Sequence, residues 1–191
     1  MKSWKEAKKR LEEEFLAPSL RGRVSYFVTR YSHAHDEAGR VAILVDGKEI
    51  LQSYDMDWWI RYFEYRDEAL RRFPELQDLS PIAYWYRLFD KAADLGCIPI
   101  RTFYDAYETF ANESIEDSLN GKNGVVKLFA ILDRRVGKRR LRTLWKAGWG
   151  REPEYLLPFL LLRLEAEGIS VLESNPEEQA LQLYLPRSED D

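Results

Sequence analysis

The sequence predicts an α+β fold: an N-terminal helix, a three-stranded antiparallel β-meander, several packed helices and a short C-terminal β-hairpin. Three observations predict it. The apolar period is helical from Trp4 to Phe15, switches to two between Val24 and Gln52, and returns to helical beyond Asp57. The pair Asp46-Gly47 lies between two alternating runs, where a tight hairpin turn needs residues that tolerate positive φ. No stretch is rich enough in Gly, Ser or Pro to mark a linker, so residues 1–191 are expected to form one domain.

Taken in order, Ser3-Trp4-Lys5-Glu6 fits a capping box, with Trp4, Ala7, Leu11 and Phe15 following at helical spacing. Pro18 and Gly22 end that helix. Val24, Tyr26 and Val28 alternate with polar or outward positions, as do Val41, Ile43 and Val45, and Lys48 to Gln52 supplies the third strand. Helices are then expected along Trp59, Tyr62, Phe63, Arg66 and Leu70 to Phe73-Pro74, and from Ser80-Pro81 to Gly96. Further helices are expected around Phe103–Phe110, from Ser114 to Leu119, from Val125 through Val136 to a stop at Gly137, and around Leu141–Trp145. A last helix entered near Pro153 or Pro158 runs to Gly168, and 169–173 with 180–185 read as the terminal hairpin.

The composition narrows the function. Of 191 residues, 45% are hydrophobic and 32% charged, which is too apolar for a disordered chain and too charged for a membrane span. The longest apolar run, Leu156 to Leu162, is interrupted by Pro158 and falls short of a transmembrane helix, and the charged N-terminus does not have the pattern of a secretory signal. One cysteine, Cys97, permits no internal disulfide, and with only two histidines no zinc site of the usual Cys/His sets can form. A cytoplasmic protein is expected.

Two segments carry a resemblance. Tyr31-Ser-His-Ala-His-Asp-Glu-Ala-Gly-Arg40 leads into Val45-Asp-Gly-Lys-Glu-Ile50, and Ser114-Ile-Glu-Asp-Ser-Leu119 is followed by Leu132-Asp-Arg-Arg-Val-Gly-Lys-Arg-Arg-Leu141. With Arg163-Leu-Glu-Ala-Glu-Gly168 they resemble a family of small bacterial proteins of no assigned activity. The resemblance implies a bacterial cytoplasmic origin and carries no catalytic residue, cofactor or partner with it.

The sharpest chemical feature is a run of six basic residues: Arg134, Arg135, Lys138, Arg139, Arg140 and Arg142. From Lys122 to Arg151 ten basic residues face the single acid Asp133, a formal +9 inside a chain of net −4. A phosphate backbone is attracted to such a segment, and its binding would weaken steeply with salt. The same polarity can instead be satisfied internally, by the acids Asp105, Glu108, Glu113, Glu116 and Asp117 packed alongside, and this pairing is the first expectation. Aromatic residues crowd two segments; core packing is the first expectation for them, and Trp58, Trp59, Tyr62 and Trp85 are the candidates for a partner surface, with a small-ligand cleft as the third reading.

Other chemistry fails on residue type and spacing. His33-Ala34-His35-Asp36 lacks the further ligands of a metallo-β-lactamase pattern, since Glu37 and Ala38 follow and no third histidine exists. Gly121-Lys122 and Gly137-Lys138 close no phosphate loop, there is no Gly-x-Gly-x-x-Gly and no Gly-x-Ser-x-Gly, and Cys97 reads as a small buried hydrophobe. No metal or cofactor is expected. A winged-helix reader is not the leading expectation, because the segment 154–167 that would enter the groove is mostly Leu and Phe, with Arg163 its one basic residue. The leading expectation is a non-catalytic protein that binds another protein or a second copy of itself. The alternative is non-specific nucleic-acid or polyanion binding through residues 134–142. The third is an enzyme of unidentified class, with no membrane role in any of them.

Overall fold

The computed structural model describes residues 3–30, 39–54, 67, 70–78, 80, 83, 87, 96–149, 151 and 153–171. These form the expected mixed architecture, an antiparallel three-stranded sheet with helices packed on it. The expected terminal hairpin, apart from residues 169–171, and most of the helices of 58–73 and 81–95 lie outside the described residues.

Helix α1 (Trp4–Lys9) begins where Ser3 Oγ accepts the Glu6 N–H. The sequence predicts a continuous α-helix to Phe15, but Arg10–Phe15 widens into π-turns, closed by Leu16 N–H on the Leu11 carbonyl at 3.2 Å. The wider turn lets the chain leave the helix with Phe15 against Phe110, their ring centroids 5.0 Å apart. Tertiary packing thus overrides a local pattern that reads as ordinary helix.

Strands β1 (Val24–Arg30), β2 (Gly39–Val45) and β3 (Lys48–Tyr54) lie in the order β1-β2-β3, paired from Val24↔Val45 to Arg30↔Gly39 and from Arg40↔Tyr54 to Val45↔Lys48. Asp46 at φ 51° and Gly47 at φ 78° make the tight turn between β2 and β3. The register shifts between Ile43 and Leu44, so that Ile43 faces Leu51 while Leu44 faces Glu49. Val24, Tyr26, Val41, Ile43, Val45 and Leu51 line the core face.

Helix α2 (Ile100–Asn112) buries Ile100, Phe103, Ala106, Tyr107 and Phe110 as one stripe. Ser114 caps α3 (Ile115–Asn120), and Asn123 caps α4 (Gly124–Leu132) by accepting the N–H groups of Val125 and Val126. Every residue of α4 except Lys127 is buried, which makes it the central helix, with α2, α3 and α6 (Leu157–Ala166) packed around it. Phe129 of α4 meets Tyr26, Phe103 and Phe110, with ring centroids 5.2 to 5.9 Å apart, and so joins the sheet to the helices.

The sequence predicts that α4 continues to Val136. It stops at Leu132 instead. Asp133 is extended and pairs with Leu16, with Ala17 N–H on the Leu132 carbonyl at 2.9 Å and Arg134 N–H on the Phe15 carbonyl at 2.7 Å. The departing N-terminal arm competes for the backbone groups that a longer helix would have used. Helix α5 (Lys138–Lys146) then starts afresh after Gly137.

Candidate functional site

The basic run falls on the turn after α4 and on α5. Leu141 is buried and Leu144 and Trp145 are half-buried, which fixes the opposite side of the helix outward. The exposed residues of α5 are Lys138, Arg139, Arg142, Thr143 and Lys146, and Arg134 is exposed on the turn before it. Steps of three and four residues set Arg139, Arg142 and Lys146 in one stripe.

The six residues singled out by sequence divide into two groups. Arg135 donates from Nε to one oxygen of Asp133 at 3.0 Å and from Nη2 to the other at 2.9 Å, while its own N–H also reaches that carboxylate at 2.6 Å. Its guanidinium lies 5.5 Å from the centre of the Phe110 ring and 5.7 Å from that of Phe15. Arg140 pairs bidentately with Glu116 of α3. Lys138 is 3.9 Å from Glu167 and keeps most of its side chain in solvent. Arg134, Arg139 and Arg142, joined by Lys146, have no side-chain hydrogen bond or ion pair among the described residues.

The expected neutralisation by the 105–117 acids is therefore largely absent. Only Glu116 of that segment reaches the basic run; Asp105 pairs with Arg101 in its own helix, and Asp117 hydrogen-bonds Ser114. The reason is geometric. Helix α2, which carries Asp105 and Glu108, lies against the central helix α4, whereas α5 packs against α6, so it is Glu116 at the start of α3 that comes within reach of α5.

Both flanks of α5 are strapped down. At its start, buried Arg163 of α6 donates from Nη2 to the Val136 carbonyl at 2.9 Å and from Nη1 to Ser19 Oγ at 3.0 Å, and pairs with Glu167 at 2.8 Å. Burial pulls the Arg163 pKa below its usual value, while Glu167 and Asp133 act in the opposite direction. At its end, Trp149 donates from Nε1 to the Leu119 carbonyl at 3.0 Å. Lys146, Arg163 and Glu167 were outside the sequence candidates. Lys146 sits four residues after Arg142 and was legible from helical spacing, whereas nothing in the sequence marks Arg163 as a neighbour of Val136.

Among the described residues no group of three metal-ligating side chains comes together, and no helix is long and apolar enough to cross a membrane. Cys97 is buried, its Sγ 4.0 Å from Ser53 Oγ. The histidine pair His33 and His35 and the aromatic candidates Trp58, Trp59, Tyr62 and Trp85 lie outside the described residues.

The family match covers residues 3–164, from the first helix almost to the end of α6. The chain belongs to the SF0329 protein family. This is an uncharacterised family, as the resemblance of the 31–50 and 114–141 segments implied. No curated protein and no solved structure matches the chain.

Proposed function

We propose that this SF0329 family member is a cytoplasmic, non-catalytic protein that binds nucleic acid without sequence preference through Arg134, Lys138, Arg139, Arg142 and Lys146. The observation that carries the proposal is the division of the basic run: acids hold Arg135 and Arg140, and the remaining cations are exposed on the turn and outer face of α5. Two features favour phosphate over an acidic protein. Every exposed residue of α5 is polar or cationic, whereas a protein interface has an apolar centre. Lys138 and Arg139 also stand in the first turn of a helix that has no side-chain cap, an arrangement that opposes the helix dipole until an anion is present.

The test is fluorescence anisotropy with a labelled single-stranded DNA of about 20 nucleotides, titrated at several salt concentrations. Five cations on phosphate give a slope of log K against log salt of about −3.5, at about 0.7 per neutralised phosphate. Replacing Arg139, Arg142 and Lys146 together by Ala should bring the slope to about −1.4. Binding that ignores salt, or a triple variant that binds like the parent, would refute the proposal. Retention of an acidic protein with no affinity for DNA would refute it in favour of a protein partner.

A further inference from the structure

We propose that Arg163 is the positioning residue of the basic face: it does not touch the ligand, but its grip on the Val136 carbonyl sets where α5 begins and how its cations are presented. The inference rests on the reading of α5 as the binding surface. Arg163 emerges from α6 between Leu162 and Leu164, both buried, and only 3% of its own side chain is exposed. Placing a guanidinium there is costly, and an apolar side chain of similar volume often serves stability as well or better. What an apolar residue lacks is a donor.

The two Nη groups of Arg163 reach three different parts of the chain, while its buried Nε has no hydrogen-bond partner among the described residues. Nη1 reaches Ser19 Oγ in the 3-10 turn Pro18–Leu20 and Glu167 just beyond α6, while Nη2 holds the Val136 carbonyl. Ser19 Oγ donates to the same Glu167 oxygen that pairs with Arg163, at 2.7 Å, which closes a ring of three side chains. The other Glu167 oxygen faces Lys138 Nζ. Val136 immediately precedes Gly137, whose carbonyl accepts the Leu141 N–H in the first hydrogen bond of α5. One buried guanidinium thus fixes the backbone just before α5 and, through Glu167, its first lysine. Lysine in its place would keep the charge but cannot aim donors at the Ser19–Glu167 pair and at Val136 in the fixed fork of a guanidinium.

The experiment uses the full chain with Arg163→Lys and, as a second variant, Arg163→Met. Amide hydrogen exchange is followed in α5 and in the central helix α4, and the DNA salt titration is repeated. In Arg163→Lys, the Leu141 and Arg142 amides, the first protected ones of α5, should exchange about tenfold faster with α4 unchanged, and the salt slope should fall from about −3.5 to about −2 although every α5 cation is retained. Unchanged exchange in α5, or an equal loss of protection in α4 and α5, would overturn the inference, because the latter is what a general stabilising role produces. An unchanged slope in a parent that binds DNA would overturn it as well. If the parent does not bind DNA, the binding proposal falls, and selective exchange in α5 still decides whether Arg163 positions that helix. Should Arg163→Met fail to fold, Arg163→Lys carries the test.

Discussion

Breaking the Asp133–Arg135 pair should cost more when the arginine is removed than when the aspartate is. The Asp133 side chain is fully buried, whereas that of Arg135 is 38% exposed. Arg135→Ala therefore leaves a carboxylate out of water with one backbone N–H, from residue 135, as its remaining partner in the triad of bonds. It also removes a cation from the Phe15 and Phe110 rings. Stranding a buried charge costs about 3–5 kcal/mol. Asp133→Ala loses three charge-assisted hydrogen bonds, but the freed guanidinium can turn to solvent, so the expected loss is about 2 kcal/mol. In the double variant the stranded carboxylate is gone too, and the losses should fall short of their sum by about 2 kcal/mol. Urea unfolding of the four proteins measures all of these terms. Two results would refute the reasoning: an Asp133→Ala loss larger than that of Arg135→Ala, or a coupling near zero, which would mean that the pair is solvated despite its position.

The remaining predictions concern backbone and pH. Gly47→Ala should lose about 1–2 kcal/mol in denaturant unfolding from the φ of 78° alone, since nothing lies within 4 Å of the new methyl group. Gly124→Ala should lose about 1–3 kcal/mol by overpacking, because its methyl group would run into the Tyr155 hydroxyl and the Pro153 ring; a Tyr155→Phe background should restore part of that loss. The hydrogen bonds from Arg23 lower the pKa of Asp46, so their contribution is present above the unfolded carboxylate pKa and is lost as pH falls through the folded one. With both side chains substantially exposed it should amount to less than about 1 kcal/mol, seen as a smaller acid-side loss of melting temperature in Asp46→Asn. Burial raises the Tyr26 phenol pKa, so stability should be intact below the unfolded value of about 10 and fall as pH rises above it; ultraviolet titration should show Tyr26 ionising only on unfolding.

Much of the fold was legible because it depends on local period and turn chemistry. Alternation placed the strands of the meander, Asp46-Gly47 placed the β2–β3 turn, and Ser114 marked a helix start, whereas the cap at Asn123 came from the structure. The failures have one physical source. The π-turns at Arg10–Phe15 and the early end of α4 at Leu132 both arise where the N-terminal arm crosses the 132–134 segment, a contact between residues more than a hundred positions apart. Local propensity has no means of registering that competition. Within the candidate site, the cationic run and the buried side of α5 were visible as composition and period, but its pairing was not.

By itself, then, the sequence determined an α+β chain with a meander, a positively charged 122–151 stretch and no residue set for the common metal, nucleotide or serine-hydrolase chemistries. Tertiary structure decided which charges are available. Charge is a property of a residue, but its availability depends on distance and desolvation, and these are set by how helices pack. Asp133 and Glu116 come from a turn and a helix start, yet they meet Arg135 and Arg140 in space, while Arg134, Arg139, Arg142 and Lys146 face outward, as does Lys138, which stays mostly in solvent 3.9 Å from Glu167. Arg163, unremarkable in an apolar run, is the residue that the packing of α6 brings beneath the start of α5.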